Sequence, residues 1–354
     1  KGNSERISML FKFYRTAIKM KQKIAEFSFL HVFAILLVVL GHSFYQTNSL
    51  IVDWMYQFHV PLFFFVSGYL FNVSVNGKPL QPHIFLSRKA VRLLLPYFAL
   101  STLLFVPKVL LSQFMVRPIQ ASWSEYVLML IYPYRNVNSS YWFLPTLFLL
   151  FVFAVIALFF LQRLQHRTSL AVTTLLLTLL ALANISLSFS HDTLFNVVGV
   201  IHYAFYFALG YFVFCFGLIR FLDKGKTAIL VFLFTFVVSI IGLHVNKSPL
   251  MDLFFAMGGI LMSVALARLY AKYEFHFFNH LSPTSYTIYL YHGIFQALSL
   301  QILMRLTHFD NVVYIILAFL TGVYGSFLVY KLLYGYCNSR LGRILVLISG
   351  ISVS

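Results

Sequence analysis

Ten apolar stretches of about twenty residues follow one another along this chain, and that is the length a helix needs to cross a bilayer. They fall at roughly 25–46, 50–72, 91–114, 141–162, 168–188, 194–219, 226–245, 249–271, 285–306 and 312–335. A helix satisfies its own backbone groups in lipid, so runs of this kind specify an all-α integral membrane protein. Composition agrees. Charged residues make up 10% of the chain, against about 25% in an ordinary soluble domain. The run from Glu125 to Tyr134 is too short to span. Its tyrosines 126, 132 and 134 suit the outer interface.

The formal charge of +17 would suggest nucleic acid if the chain were soluble. Its distribution points elsewhere. With the N-terminus in the cytoplasm, 21 of the 26 lysines and arginines fall on the inner side of the membrane. Only Lys108, Arg117, Arg135, Lys247 and Arg305 fall outside. Positive loops mark the cytoplasmic face, so the chain reads as ten spans with both termini cytoplasmic. Nucleic acid is not an expected partner; the bilayer is. Residues 1–24 form a basic segment, with Leu10, Phe11, Tyr14 and Ile18 suited to lie on the membrane surface. Residues 25–335 form the membrane domain, and 336–354 a cytoplasmic tail. Cys215 and Cys337 stand far apart without a Cys-x-x-Cys partner, so neither a disulfide framework nor a metal site is expected. No internal repeat of the kind found in many transporters is visible.

Four features carry chemistry. His31 and His42 stand eleven residues apart in one apolar run. That is about three helical turns, so both rings share a face, separated by about 16 Å along the axis. Buried ionisable groups in a bilayer are costly, and an aligned pair reads as a functional site facing the protein interior. A neutral imidazole can take a proton from a hydroxyl near neutral pH. The second feature is Phe58-His59-Val60-Pro61, running on to Ser67-Gly68-Tyr69. Pro61 opens the backbone within the second span and Ser67-Gly68 permits close helix approach; taken alone, it fits a kinked packing helix. The third is Arg88-Lys89-Ala90-Val91-Arg92 at the inner start of the third span. Taken alone, it fits plain membrane anchoring, whereas a cluster of guanidinium forks also suits phosphate. The fourth is a polar stripe on the ninth span, where Ser285, Tyr289 and His292 fall at i, i+4 and i+7; such a stripe faces a bundle interior or a cavity. Trp142, with Tyr141 and Pro145, opens the fourth span at the outer interface, where aromatics are common. His202, within the sixth span, fits either a site member or a packed interior histidine, and the second reading is preferred.

Together these segments resemble the acyltransferase 3 family, ten-helix membrane proteins that O-acylate bacterial surface sugars. Leu-Leu-Val-Val-Leu-Gly-His42-Ser is similar to the family's first-helix signature. Phe-His59-Val-Pro-Leu-Phe-Phe-Phe-Val-Ser-Gly-Tyr69 is similar to its second, particularly in members related to fucose 4-O-acetylase. Phe-Leu-Ser-Arg88-Lys89-Ala-Val-Arg92 is similar to the basic start of its third helix, and Ser-Tyr286-Thr-Ile-Tyr-Leu-Tyr-His292 to its ninth. Trp142-Phe143-Leu144-Pro145 also has a counterpart. The resemblance covers about residues 25 to 335. One departure stands out: the family usually has arginine eleven residues before the first-helix histidine, where this chain has His31.

The resemblance implies a multi-pass protein of the bacterial cytoplasmic (inner) membrane that moves an acyl group, most simply acetyl, from acyl-CoA to a hydroxyl of a lipid-linked or surface polysaccharide. No bound cofactor is implied; acyl-CoA is the donor substrate. It implies catalytic roles for His42, His31 and His292. His42 acts as general base or acyl relay, and His31 orients the donor or stabilises the oxyanion. Donor binding falls to Arg88, Lys89 and Arg92, and the cavity is lined by His59, Ser67, Tyr69, Trp142, Ser285 and Tyr289. A rival reading is a glycan or lipid exporter or flippase without chemistry. The absent repeat and the scarcity of intramembrane carboxylates weigh against it. A third is a degenerate member acting as an assembly partner, which His31 alone supports.

Overall fold

The computed structural model describes residues 24–44, 49–75, 80–114, 119–190, 192–273, 275, 277–307 and 310–351. The proposed surface helix at the N-terminus lies outside the described residues. Within them the protein is helical throughout: α1 (Ile24–Ser43), α2 (Leu50–Tyr56), α3 (His59–Val75), α4 (Pro82–Leu110), α5 (Trp123–Ile131), α6 (Phe143–Leu161), α7 (His166–Ser186), α8 (Val197–Cys215), α9 (Gly225–Ile241), α10 (Pro249–Lys272), α11 (Phe277–Leu281), α12 (Ser285–Leu306), α13 (Asn311–Gly335) and α14 (Arg340–Ile348).

Nine helical segments among the described residues are long and apolar enough to cross a membrane, with α2 and α3 counted together as one. α12 is the tenth span expected from sequence and is not among these nine. Its 22 residues reach about 33 Å, but its polar side chains lower its hydropathy. Seven of its residues are buried, among them Tyr289, His292 and Gln296, so they face protein and not lipid. α7 is the opposite case. Only 11% of its apolar window is buried, and Leu175, Leu179 and Leu182 are exposed, as residues facing acyl chains should be.

The second span is interrupted. The helix breaks at Gln57–Phe58, and Pro61 lies in the first turn of α3. There the missing N–H costs little, because the first turn has no intrahelical acceptor for it. Pro61 therefore sits just after the break, where the second span opens as its sequence suggests. The short outer segment forms the expected non-spanning helix α5, capped by the Ser122 hydroxyl, which accepts from the Glu125 amide at 3.1 Å.

α3 and α8 form a tight central pair. A Cβ at Gly68 would stand 1.9 Å from the Phe207 carbonyl oxygen, and one at Gly210 would stand 2.0 Å from that of Phe65. Each glycine thus admits the other helix's backbone, the small-residue packing expected around Ser67-Gly68. At the inner ends, Arg268 of α10 bonds Glu26 of α1 at 2.8 Å and Asp223 at 3.2 Å. On the outer side, Arg135 makes a two-pronged pair with Asp192, its Nε donating to both carboxylate oxygens at 2.9 and 3.0 Å. That hydrogen bond holds the Asp192 carboxyl below its usual pKa.

Candidate active site

His42 lies one residue before the end of α1 and is exposed. Its exposed ring faces a cavity of about 50 Å³ within the bundle, lined also by Val38, His59, Val60, Phe63, Ser140, Trp142, Phe143 and Tyr289. The helices explain this set. Val38 and His42 share a face of α1 at i, i+4, and His59, Val60 and Phe63 share a face of α3. The turn at Ser139–Trp142, a short 3-10 helix, brings Ser140 and Trp142 in from the outer side.

His292 is fully buried, and its ring centre is 5.5 Å from that of His42. Its Nδ1 lies 3.0 Å from the Ile288 carbonyl and 2.8 Å from the Tyr289 carbonyl. Carbonyls only accept, so this nitrogen carries the proton. Nε2 is then a bare acceptor, and it is buried without a partner. His59 is oriented in the same way, Nδ1 to the Met55 carbonyl at 2.9 Å, which leaves its Nε2 as the acceptor. Tyr289 donates to the Ser140 carbonyl at 2.6 Å, and Tyr141 to the Leu290 carbonyl at 2.9 Å. These bonds lock the 139–142 turn onto α12. Trp142 is stacked between Tyr134 and Tyr203, with ring centres 5.0 and 5.3 Å away.

A second cluster lies toward the N-terminal end of α1. His31 is close enough to Arg92 and Lys89 to feel both charges. Lys89 Nζ sits 4.3 Å from the Phe151 ring centre, and the Arg92 guanidinium 5.3 Å from that of Tyr286. The Tyr286 hydroxyl donates to the Arg92 carbonyl. His31 and His42 stay about 16 Å apart, because α1 is helical between them. They belong to two levels of one bundle and not to one constellation.

The remaining sequence candidates are more dispersed. Arg88 is exposed. Ser67 lies on α3 beside the α8 contact, not at the cavity. Tyr69 packs between Phe27 and Phe214 at 4.7 and 4.5 Å, near the Glu26–Arg268 pair. Ser285 spends its hydroxyl on the Ser282 carbonyl at 2.8 Å, at the start of α12. His202 is partly buried and packs against Tyr203 and Phe189. No group of metal-binding side chains occurs among the described residues.

Two parts of the site escaped sequence reasoning. Gln296 continues the α12 stripe one turn beyond His292 and bonds α1; extending the i, i+4 count would have found it. The C-terminal segment, read as a tail, contains α14. Its end packs against α12: Ser349 Oγ lies 2.7 Å from Tyr291 Oη. A Cβ at Gly350, which has φ +60°, would lie 2.7 Å from the Tyr286 ring and 2.8 Å from the Arg92 carbonyl. Arg340 and Arg343 among Leu341, Ile344, Leu345 and Leu347 form the amphipathic pattern that signals it.

A family model described as an acyltransferase domain, that of acyltransferase 3, matches residues 24–331. No curated protein and no solved structure matches the chain.

Proposed function

The chain belongs to the acyltransferase 3 family of membrane acyltransferases, and from that premise we propose that it moves an acyl group, most simply acetyl, from acyl-CoA to a hydroxyl of a lipid-linked or surface carbohydrate. The observation that carries this reading is the histidine pair: His42 open to a cavity, with His292 5.5 Å away and presenting a bare acceptor nitrogen. A base whose ring is oriented by a second group is a recurring arrangement for activating a hydroxyl.

In the proposed reaction the acceptor hydroxyl donates to His42. Its oxygen attacks the thioester carbonyl, and the proton moves to His42 as the C–O bond forms. The tetrahedral intermediate expels the thiolate with cleavage of the C–S bond, and the proton passes from His42 to the sulfur. His42 begins and ends neutral. His292 Nε2 accepts from the other ring nitrogen and stabilises the transient imidazolium. A general base in such a step contributes about 10²- to 10⁴-fold.

Donor binding is assigned to the lower level. Lys89 and Arg92 hold phosphate oxygens, as cationic donors do through charge-assisted bonds, with Arg88 at the rim. His31 acts on the donor there. An oxyanion formed beside His42 would lie about 16 Å from it, beyond hydrogen-bond reach, so His31 serves the donor's arm and not the reacting carbonyl. In the bacterial inner membrane this arrangement would take donor from the cytoplasm and acceptor from the outer side.

The 50 Å³ cavity is room for about four water-sized groups, far less than acyl-CoA. Donor binding therefore requires the α1–α3–α12 interface to open. Mass spectrometry of surface glycans, from cells with the protein, without it and with His42→Ala at equal protein level, tests the proposal. Ester-linked acyl groups present only with the wild-type chain support it. Unchanged acylation in the His42→Ala cells removes the proposed base. Loss of whole glycans in cells without the protein indicates export instead.

A further inference from the structure

Gln296 stands one helical turn from His292 on the same face of α12, yet it makes its bonds to a different helix. It is only 3% exposed. Its Nε2 donates to the Val39 carbonyl and to Ser43 Oγ, both at 2.8 Å. Ser43 Oγ in turn donates to the same Val39 carbonyl at 2.8 Å. Val39 and Ser43 bracket His42 on α1. One carboxamide therefore ties the α12 stripe to the turn of α1 that carries His42.

The clamp is enclosed on its far side. A Cβ at Gly322 of α13 would stand 3.0 Å from Gln296 Cγ and 3.1 Å from Val39 Cγ1, so α13 is packed close against both. Within the hydrocarbon a polar side chain with a free donor is costly, which holds Nε2 to its acceptors. α1 ends at Ser43, and helix ends fray. Without a tether, the last turn is the part of α1 freest to move away from His292. The other half of the carboxamide is also informative. Gln296 Oε1 is buried and without a partner, as is His292 Nε2. Both buried acceptors lie on one face of α12, one turn apart.

We propose that Gln296 is a positioning residue for acyl transfer, holding His292 in register with His42 by clamping α12 to the last turn of α1. The proposal rests on the acyl-transfer reading, and its test includes a measurement that does not. In purified full-length protein, carbethoxylation of His42 by diethyl pyrocarbonate is followed by peptide mass spectrometry, alongside acetyl-CoA turnover in membranes from the same cells. Gln296→Leu is expected to lower turnover by about tenfold or more, as small misplacements of reacting groups do, while acetyl-CoA binding stays within about twofold. It is also expected to change the His42 modification rate by at least about threefold. In a His292→Ala background the same substitution should add less than about twofold to either readout, the non-additivity of residues acting as one unit. Ser43→Ala removes one arm of the clamp and should give a smaller effect of the same sign, which keeps the test open if Gln296→Leu does not fold. An unchanged His42 modification rate, or losses that simply multiply in the double variant, overturns the proposal. A wild-type protein that turns over no acetyl-CoA would refute the acyl-transfer reading, and the modification data would still report on the clamp.

Discussion

The two levels of the bundle differ in how they hold their histidines. At the upper level two rings are oriented by backbone carbonyls, His59 by that of Met55 and His292 by those of Ile288 and Tyr289, and His42 faces His292 across 5.5 Å. At the lower level His31 is held in a field of cations resting on aromatic rings, Lys89 on Phe151 and Arg92 on Tyr286. The first arrangement suits proton transfer, which needs fixed directions. The second suits a flexible polyanion, which needs charge more than angle. One apolar helix carries both kinds because its eleven-residue spacing places them on one face but in separate layers.

The contrast breaks most visibly at His42. Alanine there should lower acyl transfer by about 10²- to 10⁴-fold at unchanged protein level, measured as ester-linked acyl on extracted glycan. A residual rate within a few fold of wild type would move the proton transfer to His59. The next largest effect belongs to the lower level. Lys89→Ala with Arg92→Ala should weaken acetyl-CoA binding by about 10- to 100-fold, the loss expected for charge-assisted bonds, with much less change in turnover at saturating donor. Equal losses in both would place the cations in the reaction itself. His31→Arg restores the charge usual in the family and should keep activity within about threefold of wild type or raise it, because a donor-binding role tolerates a permanent cation; steady-state kinetics against acetyl-CoA decide this. The smallest effect is expected at the outer latch. Arg135→Ala should leave donor binding unchanged at neutral pH, because exposed pairs contribute little. The Asp192 carboxyl titrates below its usual value because of Arg135. Any contribution of the pair is thus complete above the ordinary carboxylate range and lost as pH falls below it. Thermal unfolding of the two proteins in detergent should accordingly converge in acid.

Much of this architecture was legible in the chain. Apolar run length located the helices, and α12 begins and ends at the residues read from sequence. α4 is the main exception. It starts at Pro82, nine residues before its apolar run, because the basic turn Arg88–Arg92 is helical though not apolar. Hydropathy cannot register such a turn. The two histidines of α1 and the α12 stripe were legible because i, i+4 spacing reports a shared face. Depth was not legible. His292 meets His42 although one lies seven residues past the start of its helix and the other eighteen, since α12 is offset along its axis by bonds such as those of Tyr141 and Tyr289 to the 139–142 turn. The offset depends on long-range contacts that no local pattern encodes. The same holds for Gly350, whose left-handed backbone lets the C-terminal segment reach the Arg92–Tyr286 contact.

The separation of levels is tested most directly by titrating acetyl-CoA into purified full-length His42→Ala protein. A dissociation constant within about twofold of wild type is expected, because the cations lie near His31, about 16 Å along α1 from the lost imidazole, together with no ester product. Loss of donor binding in that variant would contradict it, since the histidine and the cations would then form one site.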